Sequence, residues 1–168
     1  LLRRVHGKNE NYSDRFVAKG SGTTTQGNTP KKVADFIRHS WSVLEQDWPR
    51  EGVQTRDEYY ADLSNSLYAL AKKYKGSHVF GYEYVNPSPA NLKEALKYSP
   101  IGMAVGLNGV DENSLWYRDG AQDGHWLTLL KIEDDGTYVV LDSYEPFIKR
   151  IRSDFRSSYT MRYFLDTE

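Results

Sequence analysis

The chain has 168 residues, enough for one domain with a substantial core, and it is 39% hydrophobic and 27% charged with a formal net charge of −1. This balance gives no general attraction to nucleic acid or to an anionic membrane, and no apolar run is long enough to span a bilayer. The sequence has no cysteine, which excludes disulfides, thiolate metal sites and a cysteine nucleophile within these residues. The four histidines lack metal-ligand spacing, so we expect neither a metal nor another cofactor.

Helix signals dominate the first 76 residues. Residues 1–8 are typical of a helix end that stops near Gly7. The turn-rich segment that follows carries one short helical turn after Ser13. The further predicted helices run from Thr29, with Pro30 at the first position, to Leu44, and from Thr55 to Gly76. His39 lies on the polar flank of the first of these, where we expect solvation and no catalytic role.

Strand signals dominate residues 77–168. The predicted elements are a strand over His78–Val85, a short helix around Leu92 capped by Ser88, a buried strand over Ile101–Leu107, a polar loop over Asn108–Asp123, a hairpin, a short strand over Phe147–Ile151 and a final strand over Tyr159–Leu165. Helices first and mainly antiparallel strands afterwards argue for an α+β fold.

The hairpin consists of two apolar runs, residues 124–132 and 138–144, joined by turn-forming residues 133–136. The first run begins with Gly124-His125, and the second ends in Asp142-Ser143-Tyr144.

The hairpin register decides whether its polar residues can meet. If Ile132 pairs with Thr137, Asp142 lies opposite Leu127 and one diagonal step from His125 on the same face. A carboxylate on one ring nitrogen fixes the tautomer of an imidazole and stabilises its charged form, as in the base and orienting group of a nucleophilic triad. A shift of one residue would move Asp142 to the opposite face.

The order of segments resembles that of the papain-like cysteine peptidases over essentially the whole chain. The matching segments are Tyr12–Val17, Gly22–Asn28, Thr29–Leu44 with Trp48-Pro49, Ser99–Val105, Trp116–Gly120, Gly124–Leu127, Leu141–Tyr144 and Tyr159–Leu165. The resemblance implies one papain-like domain over residues 1–168, mainly helical at 1–76 and mainly β at 77–168, with its N-terminal segment missing.

The resemblance also implies roles for individual residues. His125 would form an ion pair with a thiolate and protonate the leaving amine, and Asp142, where the family has Asn, would hold the imidazole. Tyr144, in place of Trp, would shield that hydrogen bond, with Ser143 beside it. The implied substrate-binding residues are Gly22, Gly27, Asn28, Met103 and Gly124. Core packing would account equally well for Met103, and an ordinary surface loop for the glycines.

The resemblance places the nucleophilic Cys about a dozen residues before Leu1, together with the Gln of the oxyanion hole. The expected partners are therefore the missing Cys-bearing segment and an extended peptide or protein substrate. The glycine that follows Asn-Ser-Trp in the family is absent here, where Glu145-Pro146 follow Tyr144. A chain without cysteine suits an intracellular, reducing compartment or a microbial or viral particle.

Three functions remain open at this point. The first is a cysteine peptidase whose Cys lies upstream or in another chain. The second is a catalytically inactive papain-like module that binds a peptide or supports a larger assembly. The third is a more distant thiol enzyme, such as a transglutaminase-like or bacteriocin-processing domain, which the segment from Ser13 to Pro49 disfavours. Neither nucleic-acid binding nor membrane insertion has support.

Overall fold

The computed structural model describes residues 7, 9–120 and 122–167. Two compact units divide the chain, one of residues 1–81 with 165–168 and the other of residues 82–164. The helix end predicted over residues 1–8 lies outside the described residues, apart from Gly7. None of the described helices is long and apolar enough to cross a bilayer.

Four capped helices lie in the described part of the first unit. They are α1 (Asp14–Gly20), α2 (Pro30–Ser40), α3 (Arg56–Tyr59) and α4 (Asn65–Lys75). Each begins after a serine or threonine whose hydroxyl accepts a backbone N–H of the first turn, namely Ser13, Thr29, Thr55 and Ser64. Phe16, Val43 and Ala71 form the buried core of this unit.

The single helix predicted from Thr55 to Gly76 is wrong in its middle. The capping box of Thr55 and Glu58 is present, but Tyr60 leaves helical geometry after one turn. Ser64 then starts α4, because its hydroxyl accepts the N–H of Leu67 and provides a competing N-cap. The helix predicted to reach Leu44 also ends early, at Ser40, where Trp41 adopts a positive φ of 64°.

The β part is a sheet of eight strands in the order β1-β8-β2-β5-β6-β7-β4-β3. The strands are β1 (His78–Tyr84), β2 (Ile101–Val105), β3 (Gly109–Val110), β4 (Trp116–Tyr117), β5 (His125–Ile132), β6 (Tyr138–Leu141), β7 (Ile148–Ile151) and β8 (Thr160–Thr167). The helix α5 (Pro89–Leu96) follows its predicted cap, Ser88. The predicted α+β fold is confirmed.

One detail of the sheet differs from the prediction, whereas the pairings fit the expected mainly antiparallel arrangement. The segment 108–123, predicted as a loop, contains the strands β3 and β4. The sequence did not indicate them, because a strand of two residues is too short to show an alternating pattern. The pairing of β4 with β7 is parallel, whereas the pairings of β2, β5 and β6 with their neighbours are antiparallel.

The core of the second unit lies on one face of the central strands. Alternate residues of β2, β5 and β6 point into it and meet α5. Its buried members are Leu92, Ala95, Ile101, Met103, Val105, Leu127, Leu129, Tyr138, Val140, Ile151 and Phe155.

The register of the β5–β6 hairpin changes by one residue along its length. At the turn, Ile132 pairs with Tyr138, one residue away from the predicted partner. The register then shifts between Leu129 and Lys131, and beyond this β-bulge Thr128 pairs with Leu141. Continuing that register brings Asp142 opposite Leu127, as predicted.

Candidate active site

His125 and Asp142 form a hydrogen-bonded pair at the ends of neighbouring strands. His125 is the first residue of β5, and Asp142 follows the last residue of β6. The His125 Nε2 atom lies 2.7 Å from Asp142 Oδ1. The His125 side chain is 35% exposed and that of Asp142 only 5%, so the carboxylate holds the ring from the inner side. Because this bond uses Nε2, Nδ1 is the nitrogen available to a reacting group.

Asp142 has further partners on both carboxylate oxygens. The backbone N–H of Tyr144 donates to Oδ1 over 3.2 Å, and Lys149 Nζ lies 2.9 Å from Oδ2. Burial by itself would raise the pKa of this carboxyl group. The hydrogen bonds from His125, Lys149 and the Tyr144 amide outweigh burial and lower the pKa from 3.8 to about 2. Asp142 is therefore a carboxylate at any pH near neutrality.

Lys149 is the residue of this site that the sequence did not reveal. It lies in β7, and its side chain is only 4% exposed. Its ammonium group also donates to the carbonyls of Tyr144 over 2.6 Å and Pro146 over 2.9 Å, and it lies 5.2 Å from the centre of the Trp116 ring. The available signal was strand alternation, because Lys149 shares the inward face of β7 with Ile151.

The aromatic residue predicted to shield the pair lies against the imidazole. The Tyr144 and His125 ring centres are 5.4 Å apart, with the ring planes tilted by 43°. Tyr144 is itself 69% exposed. Ser143 is exposed beside it. Shielding by Tyr144 and support by Ser143 stay predictions.

An open pocket of about 380 Å³ surrounds the His125 ring. Gly124, which precedes the histidine, lines it and is fixed by a hydrogen bond from its N–H to the Val105 carbonyl. The pocket-lining residues are Val105, Gly106, Leu107, Trp116, Gln122, Gly124, His125, Asp142, Tyr144, Glu145 and Lys149.

Met103 lies in the core and does not line this pocket. Its side chain is fully buried among the apolar residues of the central strands. This placement supports the packing role that the sequence left open beside the pocket-wall role.

The Gly22–Asn28 loop is held together by its own polar groups. The Asn28 amide donates to the Ser21 carbonyl and to the hydroxyls of Ser21 and Thr23, and its oxygen accepts the N–H of Thr29. Gly22 and Gly27 have φ values of 77° and 88°, which favour glycine. These contacts give the three residues a structural role in the first unit, and their role in substrate binding stays a prediction.

The described residues contain no cluster of three or more His, Cys, Asp or Glu side chains that could hold a metal ion. The chemistry that the site offers is an imidazole that a buried carboxylate orients through Nε2 and that lies partly exposed beside an open pocket. Such a group can accept a proton from a nucleophile and return it to a leaving group.

No family model matches the sequence, and no curated protein matches it significantly. Solved structures do match. Xylellain, a cysteine protease from Xylella fastidiosa, is 14% identical with a TM-score of 0.74, and the alignment covers 96% of this chain and 74% of that chain. The cysteine protease CMS1MS2 of Carica candamarcensis is also 14% identical, with a TM-score of 0.66 and coverage of 96% and 80%. This chain therefore has the papain-like fold.

Proposed function

We propose that this chain carries the general-base part of a cysteine peptidase whose nucleophilic Cys lies outside these 168 residues, earlier in the same polypeptide or on another chain. The observation that carries the proposal is the 2.7 Å bond between His125 Nε2 and Asp142 Oδ1 beside an open pocket. The likeness to two cysteine proteases supports it through the fold.

In the proposed reaction His125 accepts and then releases a proton in each of two steps. Its Nδ1 takes the proton of the thiol, and the resulting thiolate attacks the carbonyl carbon of an extended peptide. The tetrahedral intermediate collapses when the imidazolium protonates the leaving amine, which leaves a thioester. A water molecule then attacks the thioester while the same nitrogen takes its proton. The C–S bond breaks, the acid product leaves, and the imidazolium returns the proton to the sulfur.

Asp142 keeps the proton on Nε2 throughout this cycle and stabilises the imidazolium between the two transfers. Tyr144 covers the imidazole and limits competition from water for the hydrogen bond. Gly124 forms part of the wall beside the scissile bond.

A second function has one observation in its favour, the absence of cysteine from these residues. In that case the domain binds an extended peptide, or supports a larger assembly, without cleaving anything. The two functions differ in one measurable property. Only the peptidase has a thiol whose reactivity towards an inhibitor depends on His125.

Thiol labelling tests the proposal. Protein expressed from the complete coding sequence is treated with an epoxide-type, papain-directed peptide inhibitor, and intact masses are measured before the labelled peptide is mapped. We expect one adduct, on a cysteine outside these 168 residues. Replacement His125→Ala should abolish labelling, because the thiol then loses its base.

The matched control is His39→Ala. His39 is exposed on α2, where its ring bonds the Asp35 carbonyl, so this variant should label like the wild type. A complete protein that takes up no inhibitor would overturn the peptidase proposal in favour of the binding module. Equal labelling of both histidine variants would show that the thiol does not depend on His125.

A further inference from the structure

We propose that Lys149 is a positioning residue of this site, the buried countercharge that allows a carboxylate at position 142 to hold the His125 imidazole. The role in orienting the ring stands on the geometry, and its consequence for catalysis rests on the proposed function.

The ammonium group of Lys149 has as many acceptors as it has protons. It can donate three hydrogen bonds, and Asp142 Oδ2, the Tyr144 carbonyl and the Pro146 carbonyl lie within 2.9 Å of it. A lysine with a complete set of partners and 4% exposure is held in one orientation. Lys149 therefore fixes the carboxylate and the loop after it at the same time.

The carboxylate of Asp142 is held on both sides. His125 and the Tyr144 N–H occupy Oδ1, while Lys149 occupies Oδ2. Without Lys149, only the two hydrogen bonds to Oδ1 would restrain rotation of the carboxylate about its χ2 bond, and Oδ2 would lose its partner. The 2.7 Å bond to the imidazole depends on that orientation.

The positive charge of Lys149 also compensates the negative charge of Asp142. A buried carboxylate is costly unless a partner of opposite charge compensates it. His125 is a cation only when protonated, so it cannot compensate Asp142 throughout a cycle that moves its proton. The Lys149 ammonium group takes no part in that proton transfer, and Glu145, which also lines the described pocket, is exposed and of the wrong sign to compensate Asp142.

We therefore expect the effect of replacing Lys149 to depend on the charge at position 142. An asparagine there would offer His125 an amide oxygen without a charge to compensate. Replacement of Lys149 should therefore do harm beside an aspartate and much less harm beside an asparagine.

A double-mutant cycle tests the inference in the complete protein, with Lys149→Met, Asp142→Asn and both changes together. The loss of donors to the Tyr144 and Pro146 carbonyls is common to both backgrounds, so it cancels in the cycle. The control is Lys131→Met, which removes an exposed lysine of β5 that pairs with Glu133 in the turn.

The first measurement is the tautomer of His125, from ring ¹⁵N NMR shifts at a pH where the imidazole is neutral. Wild type and Lys131→Met should carry the proton on Nε2 alone. Lys149→Met should give a mixture of Nε2–H and Nδ1–H forms, and the double variant should return to Nε2–H. The second measurement is peptide hydrolysis, in which Lys149→Met should lose at least tenfold in kcat with little change in KM, and the double variant should recover most of that loss.

A single Nε2–H tautomer in Lys149→Met would overturn the inference. So would a double variant whose loss in kcat equals the product of the losses in the two single variants. The tautomer needs no turnover to be observed. A protein that lacks peptidase activity but shows the expected tautomer shifts would therefore refute the proposed function while supporting the role of Lys149.

Discussion

The partners of Asp142 come from three elements. His125 lies in β5, Lys149 lies in β7, and the Tyr144 N–H belongs to the loop between β6 and β7. The pKa of its carboxyl group, about 2 in the folded chain, lies below the value near 3.9 of an unfolded chain. The charged form consequently stabilises the fold at pH above about 4, and this stabilisation is lost as the pH falls from about 4 towards 2. The difference amounts to about 2 kcal/mol.

Acid unfolding measures this contribution. Urea denaturation of wild type and Asp142→Asn at about pH 6 and about pH 2 gives the free-energy gap between them at each pH. We expect the gap to shrink by about 2 kcal/mol at the lower pH, because only the wild type loses a carboxylate. Other carboxylates with lowered pKa, such as Glu133 and Asp135, titrate in both proteins and cancel. A gap that does not change with pH would contradict the proposed partners of Asp142.

At this scale the sequence predicted the His125–Asp142 pair but not Lys149. A histidine at the head of one strand and an aspartate at the end of the next are brought together by the pairing of neighbouring strands. A lysine in a strand of four residues normally reaches solvent. Strand alternation places Lys149 on the inward face of β7, but the convergence of two loop carbonyls and a carboxylate around its ammonium group has no signature in the sequence.

Among the elements, the β5–β6 hairpin has the greatest influence on the site. Its turn has Gly136 at φ 88°, with the Gly136 N–H bonded to the Glu133 carbonyl. The sequence predicted this turn and the final position of Asp142. It did not predict the bulge at Leu130, because an extra residue in a run of apolar residues leaves no gap in the pattern. The break between α3 and α4 was missed for a similar reason, since the apolar spacing continues across it.

Substitution of the turn glycine tests how strongly the hairpin is held. Gly136→Ala should lower the free energy of unfolding by about 1–2 kcal/mol, because φ 88° disfavours a side chain. A Cβ there would also lie 3.0 Å from the Cβ of Ser153. The control is Gly52→Ala, which has a similar φ of 85° and open space around it. Thermal denaturation should show a larger loss for Gly136, and Ser153→Gly should recover the excess. Equal losses would exclude the contact with Ser153.

At the scale of the whole molecule, each unit has its own core and its own buried charge. In the first unit this charge is Arg15, which donates to the carbonyls of Pro49, Glu58 and Tyr59 and lies over the Trp48 ring. The order of segments was enough to predict the papain-like fold, which alignment over 96% of the chain supports at 14% identity. At that identity most side chains differ, so contacts such as those of Arg15 could not be carried over from the resemblance.

Removal of Arg15 should destabilise the first unit. Arg15→Met leaves three carbonyls without their donor, and we expect the free energy of unfolding to fall by about 3 kcal/mol. Amide exchange in α1 should become faster, because Arg15 joins that helix to residues 49–59. The exposed Arg56 of α3 provides the control, and Arg56→Met should change stability by less than about 0.5 kcal/mol. Similar losses for both would show that the buried contacts contribute little.

The buried Asp142–Lys149 contact also restricts how this protein can evolve. Aspartate and asparagine codons differ by one base, so an exchange at position 142 arises easily by mutation. That exchange alone leaves the buried ammonium group of Lys149 without the carboxylate that compensates its charge. If Lys149 is replaced first, the buried carboxylate of Asp142 loses its countercharge. We therefore expect each single step to be selected against and the two together to be tolerated, so lineages that descend from this sequence should keep both residues or replace both.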